Sequence, residues 1–284
     1  MNFRAVVLLL LIYPMWCGVM FAKQRTILFP AASDDRHPLA EKLPKGAQQI
    51  ELPGSFGKVR AVFWSAQTSS GRGPSVLYLH GNYERIEDSF ALVQPLVRAG
   101  VSVMQLEYPG FGGADGEPTF GEINEAADRA YDWLAQQPAV DAQRIVVMGY
   151  SIGGGIGADL VGRRHAAALI LLSTFTSLED MAHRYWLPGF LLRYQYDTLA
   201  RVREFPGPLF VEHGRRDEVI PYEMGLRLVA ASPRADFVPL DCGHGDCEFD
   251  DSLFADRLPA WLAAKGLLDR STSIREKSDA SASQ

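Results

Sequence analysis

The segment RIVVMGYSIGGGIG at residues 144–157 constrains this chain more than any other. A β-branched apolar run, Ile145-Val146-Val147, leads into Gly149-Tyr150-Ser151-Ile152-Gly153, and Gly- and Ala-rich positions follow. The pattern G-x-S-x-G in that setting predicts a strand, a sharp turn and a helix. A serine at the apex of so tight a turn is held in a strained backbone conformation, with its hydroxyl directed outward. Gly149 and Gly153 flank it because a Cβ at either position would collide with crossing backbone. Ser151 also opens the next helix, so the Ile152 N–H can stabilise negative charge that develops beside it. In a chain with 26 glycines the motif gains weight only from partners in the right order on the right elements.

Those elements are visible as an alternation. Strand-like runs fall near residues 48–52, 59–64, 75–80, 101–107, 144–149, 168–173, 209–213 and 235–240. Helical periodicity falls at 86–98, 120–137, 152–164, 222–231 and 249–264. Short apolar strands separated by helices predict βαβ units, hence a mostly parallel sheet covered on both faces. Ligands in such α/β sheets bind at the carboxyl ends of the strands. Residues 174–206 break the alternation with an apolar and aromatic mixture that includes Trp186. They are expected to form a short helical cap over the site.

The carboxyl ends carry the partners. The strand at 209–213 runs into His213-Gly-Arg-Arg-Asp217, which places Asp217 just past a strand end. Glu218 is the rival acid. The strand at 235–240 runs into Gly243-His244-Gly245. The expected triad is Ser151, Asp217 and His244, with the histidine as base and the aspartate orienting it. His80 precedes Gly81-Asn82 and is read as part of a turn that aims the Asn82 N–H at the same oxyanion as Ile152. His213 is read as structural.

At the N-terminus, residues 5–22 form an uncharged stretch of 18 residues followed by Lys23 and Arg25. That length predicts an uncleaved membrane anchor over residues 1–23, with a cleaved export signal as second choice and the side of the membrane undecided. The domain proper is expected over 24–268, and a polar, disordered tail over 269–284. The net charge of −6 gives no reason to expect nucleic-acid binding. Cys242 and Cys247 bracket His244, but their spacing fits no standard zinc pattern, so no metal is expected. A disulfide between them and two free thiols remain alternatives. Gly153-Gly-Gly155-Ile-Gly-Ala158 fits a dinucleotide-binding spacing, but no acidic residue closes a following strand. No cofactor is expected.

With these residues in place, the chain resembles the α/β-hydrolase superfamily. More closely it is similar to membrane-anchored serine hydrolases related to depalmitoylases and lysophospholipases. The resemblance rests on Gln24–Pro30, on Leu79-His80-Gly81-Asn82 and on Tyr108-Pro-Gly110-Phe-Gly112 with Gly116-Glu-Pro118-Thr119. Gly149–Gly153, Ser173–Ser177, Tyr196-Asp197-Thr198 and His213–Pro221 follow in order, spanning roughly residues 24 to 265. Ala114 departs from the serine usual there, and Tyr83-Glu84 from a small pair. The resemblance implies cleavage of an ester, thioester or amide through an acyl-enzyme, on a small-molecule or lipid-like acyl substrate. Tyr83, Tyr150 and Trp186 are the expected substrate contacts. An acyltransferase and a catalytically idle, membrane-tethered scaffold are the alternative readings.

Overall fold

The parallel strands determine where everything else can lie. The computed structural model describes residues 3–33, 43–66, 71–246 and 252–269. Eight strands form one sheet: β1 (Ala47–Gly54), β2 (Gly57–Trp64), β3 (Gly73–Leu79), β4 (Ser102–Leu106), β5 (Val140–Tyr150), β6 (Ala168–Leu172), β7 (Leu209–Gly214) and β8 (Ala235–Leu240). Their spatial order is β1-β2-β4-β3-β5-β6-β7-β8. The pairs β1/β2 and β2/β4 are antiparallel, and every other pair is parallel. This is the mostly parallel sheet that the alternation predicts, in the α/β-hydrolase arrangement that the resemblance implies.

Strands β3, β4, β6 and β7 are buried along their whole length. That is why they read as continuous apolar runs rather than as alternating ones. Their side chains still alternate between two cores. Leu77 and Leu79 join one core with α3 (Phe120–Ala135), α4 (Ile152–Val161) and α7 (Tyr222–Ala230). Val76 and Tyr78 join the other with α2 (Phe90–Arg98) and α8 (Leu258–Ala264). Helix α3 begins where Thr119 Oγ1 accepts the Glu122 N–H at 3.2 Å, which satisfies one of the free donors of its first turn.

Residues 174–206 hold α5 (Leu178–Arg184), a single 3-10 turn (Gly189–Leu191) and α6 (Thr198–Glu204). Ser177 caps α5 and Asp197 caps α6 through their side-chain oxygens. Leu178, Met181 and Ala182 of α5 line the same cavity as Ser151. Helix α6 returns to the helical layer and packs on α4 and α7. The polar tail from 270 onward lies outside the described residues.

The N-terminal expectation is overturned. Among the described residues no helix is long and apolar enough to cross a membrane. Helix α1 (Phe3–Leu28) instead lies against the cap. Tyr13 Oη donates to the Trp186 carbonyl at 3.0 Å, and Trp16 Nε1 donates to the Tyr185 carbonyl at 3.1 Å. Cys17 packs with Ala182 and Leu187. Beyond the helix, Phe29 is buried in the main core against Phe111 and Tyr194. The apolar residues read as a lipid-facing stretch include side chains that have protein partners, and the segment ends in Lys23, Gln24 and Arg25. The anchor and the membrane localisation are therefore withdrawn.

The turn between β5 and α4 depends on two glycines. A Cβ on Gly153 would lie 2.0 Å from the Leu79 carbonyl oxygen, and one on Gly149 would lie 2.2 Å from the Gly153 carbonyl oxygen. Both obstacles are backbone and cannot rotate away. Gly153→Ala is expected to lower the urea-unfolding free energy by at least the ~1–3 kcal/mol typical of overpacking. An unchanged midpoint would show that the β3 and α4 backbones can separate.

Candidate active site

Ser151 sits at the apex of that turn with φ 54° and ψ −118°, a conformation that a non-glycine residue adopts only under constraint. The constraint comes from both sides. The Ser151 N–H donates to the Leu172 carbonyl at 2.9 Å. The Ser151 carbonyl accepts the Thr174 hydroxyl at 2.6 Å and the Gly154 N–H at 3.1 Å. Neighbouring β6 and the start of α4 thus fix the turn, and the side chain is left to project away from the sheet.

His244 and Asp217 reach the same point from β8 and β7. His244 Nε2 lies 3.0 Å from Ser151 Oγ, and His244 Nδ1 lies 2.8 Å from Asp217 Oδ2. A carboxylate accepts, so Nδ1 carries the proton and bare Nε2 faces the serine hydroxyl. The Asp217 carboxylate is buried. Its Oδ1 accepts the N–H groups of Val219 at 2.9 Å and Ile220 at 2.7 Å. Its Oδ2 is shared with His213 Nε2 at 3.3 Å, and that same nitrogen donates to the Ile220 carbonyl at 2.9 Å. Burial alone would raise the Asp217 pKa. Hydrogen bonds from His213 and His244, with the charge of His244, outweigh burial and hold the carboxyl well below its ordinary value. Glu218, the rival acid, accepts the His244 backbone N–H at 3.4 Å and does not meet the ring.

The two N–H groups expected as oxyanion donors lie on α4 and on the turn after β3. The first N–H groups of α4 have no intrahelical acceptor, and Ile152 is the first of them. Asn82 lies on the turn after β3, and both residues line the cavity that contains Ser151. The turn is braced from below. The buried His80 ring lies between the Gly81 carbonyl at 2.7 Å and Glu107 Oε1 at 3.0 Å. Tyr108 Oη donates to the His80 carbonyl at 2.8 Å, and Glu84 Oε2 accepts the Gly81 N–H at 2.7 Å. Glu107 was not singled out from the sequence, because a lone carboxylate after a strand has no local signature, and Glu84 was noted only as part of a departure from a small pair.

The expected substrate contacts fare differently. Tyr150 is buried, stacks on the His244 ring at 5.4 Å and donates its hydroxyl to the His244 carbonyl at 2.7 Å. It holds the histidine loop and does not line the cavity. Tyr83 is 73% exposed and Trp186 81% exposed, both outside the cavity. Trp186 instead borders a shallow groove beside Ile12 and Tyr13. The cavity itself, about 400 Å³, is walled by α1 through Trp16, Met20, Ile27 and Leu28, opposite Phe175 and Leu178. The signal was present in the spacing. Positions 16, 20, 24, 27 and 28 recur at three- and four-residue steps and share one helical face.

Cys242 is disulfide-bonded, Cys17 is free and buried, and Cys247 lies outside the described residues. Among the described residues no cluster of three or more His, Cys, Asp or Glu is arranged to hold a metal.

Comparison with known proteins agrees with this fold. A family profile described as alpha/beta hydrolase fold matches residues 74–205. The alpha/beta hydrolase domain-containing protein WAV2 of Arabidopsis thaliana is 30% identical over 219 residues, covering 69% of this chain and 71% of that protein. This chain belongs to the α/β-hydrolase family. An uncharacterized protein of Mycobacterium tuberculosis is another relative, 31% identical over 252 residues, covering 87% of this α/β hydrolase and 89% of its own length. Among solved structures, an esterase of Thermogutta terrifontis with butyrate bound superposes with a TM-score of 0.65 at 17% identity, covering 80% of this chain and 96% of that one. The same esterase phosphoramylated by tabun gives a TM-score of 0.64 at 17% identity, covering 80% and 97%. Identities this low establish the shared fold of the hydrolase and nothing finer.

The lowered pKa of Asp217 fixes the sign of its contribution to stability. Its folded pKa lies below the unfolded value of ~3.9. The stabilisation is therefore present above that value and is lost as pH falls through it toward the folded pKa. Urea unfolding at a series of pH values from about 6 to 2 should show the wild type losing on the order of 2 kcal/mol more than Asp217→Asn. Parallel curves would mean that the carboxylate is not held ionised by its two histidines.

Proposed function

We propose that this α/β hydrolase is a serine esterase that works through an acyl-enzyme. The observation that carries the reading is the unbroken chain from Ser151 Oγ to His244 Nε2 at 3.0 Å and from His244 Nδ1 to Asp217 Oδ2 at 2.8 Å. Serine is a weak nucleophile until a base takes its proton as it attacks. His244 is that base. As Ser151 Oγ bonds to the substrate carbonyl carbon, the proton passes to His244 Nε2 and the carbonyl oxygen becomes an oxyanion. The N–H groups of Asn82 and Ile152 receive that charge. Such donors contribute most when they are already oriented, as the braced turn after β3 and the start of α4 are.

His244 then returns the proton to the leaving alcohol, and the ester C–O bond breaks. Water repeats the sequence on the acyl-enzyme and releases the acid. Asp217 stays ionised throughout. It holds the Nδ1–H tautomer and stabilises the imidazolium without taking its proton. The apolar cavity favours an acyl substrate with a hydrocarbon portion. The Thermogutta esterase of similar fold, which is phosphoramylated by tabun, supports a phosphorus probe as the first test.

A fluorophosphonate should label the full-length protein, and Ser151→Ala should abolish labelling while leaving the thermal midpoint close to wild type. Asp217→Asn should lower kcat on a p-nitrophenyl ester by roughly 10⁴-fold. Absence of labelling in the folded wild type would remove the hydrolase reading and bring forward a catalytically idle scaffold. Product analysis with an added alcohol separates hydrolysis from acyl transfer.

A further inference from the structure

The residues between the cap and α1 remain unassigned by any of this chemistry. We infer that α1 is a wall of the acyl-binding site and that Met20 sets the length of hydrocarbon the site accepts. This inference rests on the esterase reading for the position of the carbonyl, and on α1 alone for the position of the chain.

The cavity is lined by two chemically different sets of residues. One is Ser151 with Asn82 and Ile152, which supply the hydroxyl and the N–H groups. The other is apolar: Trp16, Met20, Ile27 and Leu28 of α1, with Phe175, Leu178 and Leu187. Gln24 is the one polar side chain that α1 contributes to the lining, and it is 4% exposed. Both atoms of its amide are already engaged. Nε2 donates to the Leu191 carbonyl at 2.7 Å, and Oε1 accepts the Arg193 N–H at 2.9 Å. Gln24 thus uses one N–H and one lone pair to fasten the helix to the cap. A ligand that satisfies both sets carries a carbonyl at Ser151 and an unbranched apolar chain running toward α1. The volume of about 400 Å³ falls in the lower part of the ~300–1,000 Å³ range of ligand pockets. A medium-length acyl chain fits better than an acetyl group, which would leave the α1 wall without contact.

The wall is rigid enough to discriminate. Beyond the Gln24 clamp, Arg193 lies over the Phe21 ring at 4.2 Å, Arg25 pairs with Glu117, and Phe29 is buried in the core. Met20 occupies the junction. It lines the cavity and also packs against the Cys17, Ala182 and Leu187 cluster that joins α1 to the cap. A larger side chain there shortens the cavity and a smaller one lengthens it. Pockets of this kind discriminate one methylene by about tenfold or more.

The test uses the full-length protein with Met20→Trp and Met20→Ala, each first checked for a wild-type circular dichroism spectrum. With p-nitrophenyl esters of fixed leaving group, Met20→Trp should lower the octanoyl-to-acetyl ratio of kcat/KM by about tenfold or more, and Met20→Ala should move the preferred chain toward longer acids. Calorimetric binding of decanoate, measured in Ser151→Ala and in the two double variants, reads the same wall without turnover. Met20→Trp in that background should weaken decanoate binding by about tenfold or more. Chain-length preference and decanoate affinity unchanged in both Met20 variants would overturn the assignment of α1. In a second series, acetyl esters of alcohols of increasing length, a preference for longer alcohols that shifts in the Met20 variants would overturn the placement of the acyl chain. If the wild type turns over no ester but decanoate binding still weakens in the Met20→Trp double variant, the esterase reading fails and the α1 wall stands.

Discussion

The close approach of two backbones at Gly153 is the constraint on which the rest depends. Only where a glycine lets α4 meet the end of β3 at 2.0 Å from a would-be Cβ can Ser151 take φ 54° and project from the sheet. The same approach brings the turn after β3 next to the start of α4. Asn82, Ser151 and Ile152 therefore line one cavity. Strain at the serine and the neighbourhood of the two proposed oxyanion donors are consequences of a single packing contact.

The sheet order supplies the remaining groups. Because β5, β6, β7 and β8 run parallel, their carboxyl ends share one edge, and residues 66 and 93 positions beyond Ser151 arrive beside it. Each is then fixed by local bonds rather than by the triad itself. Asp217 is held by two backbone N–H groups and by His213, and His244 is held by the Tyr150 hydroxyl at its carbonyl. The histidine thus meets an acid and a serine whose positions do not depend on it. In the proposed reaction that arrangement would reduce the reorganisation required when charge develops.

Much of this was legible in the sequence, and the reason differs by element. The buried strands announce themselves because burial on both faces demands continuous apolar runs. Ser151 is legible because its turn tolerates few residue types, and Asp217 and His244 because they follow strands. Tyr83, Tyr150 and Trp186 lie outside the cavity lining, which the sequence did not show, since an aromatic residue near a site reads the same whether it faces the ligand, supports a histidine or faces solvent. The bracing carboxylate Glu107 left no pattern, and Glu84 showed only as a departure from a small pair. Residues 5–22 misled most, because an uninterrupted apolar run is equally suited to lipid and to the apolar face of a protein.

The sequence by itself determined the alternation of strands and helices, the strained turn and the order of the three site residues. These depend on local backbone sterics and on side-chain periodicity, which act between near neighbours in the chain. Only the tertiary structure decided what covers α1, which side chains wall the cavity and which tyrosine supports His244. Those outcomes depend on contacts such as that of Tyr13 with Trp186, 173 positions apart, and an apolar face carries no record of which distant surface will cover it.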